Sequence, residues 1–180
     1  MDYSEKWRHI RSIIHQLLTP RMSNTFRPSQ LFESKQLTYD LLLNNPTQTE
    51  FYTHTRRYAT SVIMTSTYGR RIATWENEDV KQIFAILAEF GEASNPTRWW
   101  AEIIPPLARL PTWMQWWRAE AMGFQERQNR VWMGYWRKLN KRIEEGSAPE
   151  CFVKQFAQSD YLGKGIDEMQ AAYTAGSTIP

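Results

Sequence analysis

The stretch "EKWRHIRSIIHQLL" at residues 5–18 decides the fold class, because its apolar residues recur at the spacing of a helix. Arg11 lies one turn after Trp7, so an indole N–H and a guanidinium can reach the same object. Two donors without an acceptor favour an anionic ligand, although Arg11 can also extend from the edge of the stripe and stack on Trp7. The apolar stripe itself comprises Trp7, Ile10, Ile14, Leu17 and Leu18.

Two further stretches of the first half have the same helical pattern. The segment "LFESKQLTYDLLLNN" at 31–45 predicts a helix that stops at Pro46. The segment "FYTHTRRYATSVIMTSTYG" at 51–69 follows Thr47 and Glu50, which have the spacing of a capping box. Its β-branched residues would suit a strand, but the helical pattern extends further than a strand of ordinary length.

The middle of the chain predicts two helices with a broken connection between them. The segment 78–91 has Asn77 as its N-cap and is expected to end near Gly91, and a long charged helix covers 118–145. The stretch "ASNPTRWWAEIIPPLARLPTWMQWW" that joins them has four prolines, so it cannot form one continuous helix. It also holds a cluster of five tryptophans: Trp99, Trp100, Trp113, Trp116 and Trp117.

The fold class that follows is all-α, in a single domain built from about six helices. A short helix or turn at 148–159 and the beginning of another helix at 166–180 complete the chain. We find no internal repeat, no glycine-rich phosphate loop and no run of strands.

Composition excludes several classes of function. The 180 residues are 42% hydrophobic, which is typical of a globular protein with a real core. The net charge of +3 is small and dispersed, so no nucleic-acid partner is expected. No apolar run is long enough to span a bilayer, and the start lacks the apolar core of a signal peptide. Cys151 is the single cysteine and the three histidines are scattered, so no metal site made of protein ligands is expected.

Several of these segments, in order, resemble the cytochrome P-450 family of haem-thiolate monooxygenases, in particular its fungal, membrane-associated members. Trp7 and Arg11 resemble the Trp-x-x-x-Arg pair on the third lettered helix of that family. Further similarity lies in "FRPSQLFESKQLTYDLL", "FYTHTRRYATSVIMTSTYGRRI", "EIIPPLARLPTW", "RIEEGSAPECFVKQF" and "DEMQAAYTAGS". No single segment is a strong motif, but the ordered set extends over essentially the whole chain.

The resemblance implies an oxidoreductase that uses haem iron, a lipophilic substrate and electrons from a reductase, in fungal secondary metabolism. Trp7 and Arg11 would donate hydrogen bonds to a haem propionate, which is an anionic ligand of the kind that this pair favours. Phe90 and Tyr173 would line the substrate channel. Trp113, Trp116 and Trp117 would face a membrane, because amphipathic aromatic rings favour the headgroup region. The alternative, tryptophans packed inside a helical core, stays open.

Some of the family's reactive parts have no counterpart here. The "AGST" at 175–178 lacks the acidic residue that precedes the family's oxygen-activating threonine, so no proton-relay role is assigned to Thr178. Cys151 lacks the Phe and Gly framework of the loop that supplies the iron thiolate, so we expect a small, partly buried apolar residue.

The extent of the similarity leads us to expect the middle portion of a longer protein. The family's membrane anchor, N-terminal sheet and thiolate region would lie outside residues 1–180. The complete protein would sit at the cytosolic face of the endoplasmic reticulum membrane. The chain alone is expected to be inactive and to bind no haem stably. The competing hypothesis is a non-enzymatic helical module that binds a membrane or a protein through its Trp-rich segment.

Overall fold

The computed structural model describes residues 4–17, 19–43, 48–95 and 98–177. Within these ranges the chain forms α-helices and short 3₁₀ turns, and no strand occurs, which confirms the all-α prediction. The helices are α1 (Glu5–Leu17), α2 (Pro20–Thr25), α3 (Arg27–Leu43), α4 (Gln48–Tyr68), α5 (Glu78–Ala93), α6 (Trp100–Ile103), α7 (Trp116–Glu144), α8 (Phe152–Ala157) and α9 (Glu168–Gly176).

The described residues thus hold nine helices where about six were expected, and part of the difference comes from proline. Pro20 and Pro28 lie in the first turns of α2 and α3, where a missing backbone N–H costs no hydrogen bond. These prolines begin helices rather than only breaking them. The broken connection before α7 contains α6 and the 3₁₀ turns Pro105–Arg109 and Thr112–Met114.

Helix ends were predicted with mixed success. The Asn77 side chain accepts a hydrogen bond from the Asp79 N–H at 2.9 Å, which confirms it as the N-cap of α5. That helix continues past Gly91 to Ala93, because a glycine inside a helix is unfavourable by only about 1 kcal/mol. The capping box assigned to Thr47 lies outside the described residues. A capping box that the sequence analysis missed, between Asp167 and Gln170, begins α9.

The core lies between α4, α5, α7, α8 and α9, and α1 contributes Ile13 to it. Ile13 is only 2% exposed, whereas the predicted stripe residues Trp7, Ile10 and Ile14 are partly buried. The predicted stripe therefore lies to one side of the face that α1 buries most deeply. The reason is tertiary, since α8 packs against α1 and its position decides which face is covered.

Buried charges connect α3 to α4. Arg57 and Glu33 are almost fully buried, and Arg57 Nη1 donates to Glu33 Oε2 at 2.8 Å and to the Ile72 carbonyl oxygen at 3.2 Å. Glu33 Oε1 accepts from Arg71 Nε at 2.7 Å, and Arg57 Nη2 lies 3.3 Å from Asp40 Oδ2. Arg57 thus offsets two buried carboxylates, and Arg71, which is 40% exposed, adds a second cation beside Glu33.

The network predicts a large difference between two adjacent arginines. Arg57→Ala leaves Asp40 without its cation and Glu33 with Arg71 alone, and should lower the free energy of unfolding by about 3–5 kcal/mol. Arg56→Ala is the matched control, because Arg56 is exposed and only stacks on Phe84, with Cζ 5.6 Å from the ring centroid. Its cost should stay below about 1 kcal/mol. Urea unfolding measures both values, and equal losses would contradict the role given to the network.

Candidate functional site

The predicted anion-binding pair on α1 combines a half-buried Trp7 with an Arg11 at the surface. The Arg11 guanidinium carbon lies 5.2 Å from the centroid of the Trp7 ring, so the stacking considered from the sequence is present. Arg11 is exposed and has no carboxylate partner among the described residues, and the N–H groups of a stacked guanidinium lie in its own plane. Stacking therefore fixes the orientation of Arg11 without using its donors.

Two contacts fix α1, the helix that carries Trp7 and Arg11, against the rest of the protein. Ile13 packs into the core, and His9 Nδ1 lies 3.3 Å from the carbonyl oxygen of Lys164, in the loop before α9. Both contacts are on α1 itself, within one or two turns of Trp7 and Arg11. The pair is therefore positioned by a fixed helix rather than by a loop.

A groove of about 460 Å³ runs beside this pair, between α1, α7 and α9. We call it the α1 groove. Trp7 and Ile10 line it from α1, Gln125 and Asn129 from α7, and Tyr173 from α9. Every residue that lines it within the described chain is uncharged. Its surface therefore suits a neutral, mainly apolar group, with amides available as hydrogen-bond partners.

A second cavity of about 260 Å³, which we call the α5 cavity, adjoins the α1 groove. Phe90 and Leu87 line it from α5, Gln128 and Trp132 from α7, and Tyr173 from α9. The structure thus brings Phe90 and Tyr173, the two residues assigned to a substrate channel, to one cavity. Tyr173 lines both spaces, and its hydroxyl donates a hydrogen bond to the side-chain oxygen of Gln128.

The α1 groove and the α5 cavity are both lined by uncharged side chains within the described chain. Burial raises the pKa of Tyr173 above its ordinary value, so its hydroxyl stays protonated and can keep donating to Gln128. The other lining residues of the α5 cavity are apolar, aromatic or uncharged polar. An ionised ligand would lose its hydration there without gaining a counter-charge.

Close packing of α9 on α7 shapes the α5 cavity. A side-chain carbon built on Gly176 would come within 2.3 Å of Trp132 Cδ2, so the two helices touch backbone to ring at this point. Ala171, Ala172 and Ala175 are also fully buried on α9. The sequence analysis did not identify Gly176 or Trp132, although small residues at helical spacing in "AAYTAG" are a signal of close helix packing.

The Trp-rich segment divides into exposed and partly covered residues. Trp113 is 82% exposed and Trp116 is 66% exposed, so neither packs inside a helical core. Trp117 is half-buried, and its ring meets that of Trp116 edge to face at 4.6 Å between centroids. Trp100 and Ile103 add further exposed apolar surface nearby. Several large apolar side chains of the connection before α7 are therefore exposed.

Cys151 is fully buried immediately before α8, and burial raises the pKa of its thiol. A thiol of this kind is a small apolar core residue, as expected, and not an exposed thiolate. In the described ranges, no cluster of three or more His, Cys, Asp or Glu side chains could hold a metal ion. No described helix is both long and apolar enough to cross a membrane.

These features define an all-helical protein in which a stacked Trp–Arg pair stands beside neutral, aromatic-lined spaces. The chain belongs to the cytochrome P-450 monooxygenase family. It is 33% identical over 99% of its length to the cytochrome P-450 monooxygenase pgmC of Aspergillus terreus. It is 35% identical over 99% of its length to verL of Clonostachys rogersoniana, and 31% identical over 96% to monooxygenase 231 of Postia placenta.

The chain is shorter than these relatives. The matched region covers 31%, 33% and 35% of the three relatives, so the chain spans about a third of their length. No protein-family profile matches it, and no solved structure matches it significantly.

The contact between α9 and α7 gives a prediction with an internal control. Gly176→Ala places a methyl group against the Trp132 ring, and should lower the free energy of unfolding by about 1–3 kcal/mol while narrowing the α5 cavity. Gly134→Ala, on α7, meets no atom within 4 Å and should stabilise the protein by about 0.5–1 kcal/mol. Thermal and urea unfolding measure both changes. A Gly176→Ala variant as stable as Gly134→Ala would show that the close approach is absent.

Proposed function

We propose that this chain forms part of a haem-dependent monooxygenase that inserts one oxygen atom of O₂ into a lipophilic organic substrate. The observation that carries the proposal is the similarity of nearly the whole chain to cytochrome P-450 monooxygenases. The site adds support of its own, because a stacked cation and neutral cavities are what a propionate and an apolar substrate would each require.

The fit of haem to these residues is partial. The Arg11 guanidinium is exposed, oriented by Trp7 and without a carboxylate partner among the described residues, so it suits one carboxylate of the haem edge. Cys151 does not suit the iron, because it is buried in the core away from both cavities. The chain would therefore hold the propionate side of haem, and Cys151 would not serve as the axial ligand.

Haem, when bound, supplies O₂ activation with electrons from a reductase. This chain's own residues would have simpler tasks. Trp7 and Arg11 would bind and orient the propionate, and Phe90, Trp132 and Tyr173 would exclude water from an apolar substrate. The hydroxyl of Tyr173, held by Gln128, would keep the wall between the two spaces in one position.

A membrane surface is the proposed surrounding of the Trp-rich segment. The exposed rings of Trp113 and Trp116, with Trp117 beside them, would lie in the headgroup region at the cytosolic face of the endoplasmic reticulum. Lipophilic substrates concentrate in such a membrane. A non-enzymatic helical module would use the same tryptophans, so the two hypotheses differ in haem dependence and not in membrane binding.

The role of Arg11 is tested by haem retention in the full protein that contains this chain. Arg11→Ala should weaken haem binding about tenfold, because a charge-assisted hydrogen bond is lost, and Arg11→Lys should retain part of it. Arg21→Ala removes an exposed arginine from α2 and serves as the control. The ratio of haem absorbance to protein during titration with a haem acceptor measures the effect. Equal haem retention in Arg11→Ala and Arg21→Ala would refute the assignment.

The purified chain of residues 1–180 is expected to be inactive by itself. Cys151 is the single cysteine and is buried in the core, so it should not bind the iron, and a reductase and its electron donor should produce no oxidised substrate. Product analysis after incubation with a lipophilic test substrate measures this directly. Turnover by the chain alone would contradict the expectation.

Membrane binding is tested with a double substitution. Trp113→Ser with Trp116→Ser should lower vesicle partitioning at least about tenfold, because burying a side chain of this size in an apolar phase is worth about 1.5–3 kcal/mol. Leu42→Ser with Leu43→Ser removes exposed apolar side chains from α3 and should change partitioning little. Co-sedimentation with phosphatidylcholine vesicles measures both. A similar loss in the two double variants would show that any exposed apolar surface suffices.

A further inference from the structure

A cleft of about 380 Å³ lies between the loop after α4 and the C-terminal half of α7, and it shares no lining residue with the α1 groove or the α5 cavity. We call it the basic cleft. Its apolar lining consists of Tyr68, Tyr135 and Leu139. Its basic side chains are Arg70, Lys138, Lys141 and Arg142. No carboxylate lines it within the described chain.

Ordinary structural roles explain two of the four cations. Lys141 and Arg142 lie in the last turn of α7, where positive charge is favourable next to the helix dipole. Arg142 Nη2 also donates to the Ser147 carbonyl oxygen at 3.3 Å, and Lys141 Nζ lies 3.9 Å from Glu145 Oε1. These contacts give both residues a reason to be there without any ligand.

Lys138 has no such role. It lies before the last turn of α7, it pairs with no carboxylate among the described residues, and its Nζ lies 6.0 Å from the centroid of the Tyr135 ring. Lys138 and Arg142 are four residues apart on one helix face, where like charges repel by a few tenths of a kcal/mol. An anion between them would convert that repulsion into attraction.

Arg70 lies in the loop after α4, across the cleft from α7, and an ion pair holds its side chain in place. Its Nη2 lies 2.6 Å from Asp79 Oδ2, and the other oxygen of Asp79 accepts a hydrogen bond from the Tyr135 hydroxyl at 3.1 Å. The Arg70 side chain is nevertheless 41% exposed, so part of the guanidinium remains available to a ligand. The ion pair positions this cation rather than covering it.

The aromatic lining has an unsatisfied group. Tyr68 is almost fully buried, its ring lies 5.3 Å from that of Tyr135, and its hydroxyl makes no hydrogen bond with the described residues. A buried hydroxyl without a partner is unfavourable by about 1–3 kcal/mol. Because this oxygen is shielded from solvent, only the ring of Tyr68 can contact a ligand in the cleft.

We propose that the basic cleft binds a small organic phosphate, with the phosphate group between Lys138, Arg70 and Arg142 and an aromatic body against Tyr68 and Tyr135. Lys138 and Arg142 form no ion pair within the described chain, and their two charges match a phosphate monoester, which carries about −1.5 to −2 charges at neutral pH. The cleft is at the small end of the range for ligand pockets, so it suits a body of one or two rings rather than lipid chains.

The test titrates the full protein with 1-naphthyl phosphate and follows binding by calorimetry. We expect one saturable site with a Kd below about 1 mM, weakened by salt as a charged contact requires. 1-Naphthol lacks the anion and inorganic phosphate lacks the ring, so each should bind at least about tenfold more weakly. Absence of saturable binding, or equal binding of inorganic phosphate, would overturn the proposal.

Variants locate the site. Lys138→Ala should raise the Kd about tenfold, and Lys138→Arg should keep it within about threefold. Arg137→Ala removes an exposed cation from the adjacent position of α7, outside the cleft, and should change the Kd by less than about twofold. If Lys138→Ala and Arg137→Ala raised the Kd equally, binding would depend only on the overall positive charge of α7, and the proposed site would be refuted.

Tyr68→Phe separates ligand binding from folding. The variant loses an unpartnered hydroxyl, so without ligand it should unfold at the same temperature or higher. With 1-naphthyl phosphate its Kd should stay within about twofold, because only the ring of Tyr68 lines the cleft. Loss of binding in a folded Tyr68→Phe protein would contradict the part assigned to the ring.

Discussion

The close contact between α9 and α7 is the constraint on which the site depends. At Gly176 the backbone of α9 approaches the Trp132 ring so closely that a side-chain carbon has no room. That approach places Tyr173 between the α1 groove and the α5 cavity, within reach of Gln128 on α7. Small residues on α9 make it possible, because only a helix without bulky side chains on one face can pack at this distance.

The distribution of charge distinguishes the buried structural network from the surfaces that we propose bind ligands. The buried ions of α3 and α4 satisfy one another, with Arg57 between Glu33 and Asp40. The spaces next to Tyr173 contain no charged side chain in the described chain, whereas the basic cleft has four. An unpaired ion would be costly in the buried network and in the neutral spaces, whereas an anion is favourable beside the exposed cations of the basic cleft.

The aromatic residues serve two different purposes. Trp132 and Trp136 are buried on α7, and the Trp136 indole N–H donates to Glu168 Oε1 at 3.1 Å, which ties α7 to α9. Trp113 and Trp116 are exposed on the connection before α7. Composition alone does not distinguish the two pairs. The buried pair contributes to stability, whereas the exposed pair is available for contact with a membrane surface.

Local sequence determined the helices, the Asn77 cap and the Trp7–Arg11 contact, because residues four apart on a helix are neighbours whatever surrounds them. Only the tertiary structure decided that Ile13 would be the deepest residue of α1, that Phe90 and Tyr173 would share a cavity, and that the charge of Glu33 would be buried. Those outcomes depend on which helices pack together, and helix packing is set by contacts between residues far apart in the chain. Periodicity fixes the relative positions of side chains on one helix, but it does not determine which helix covers them.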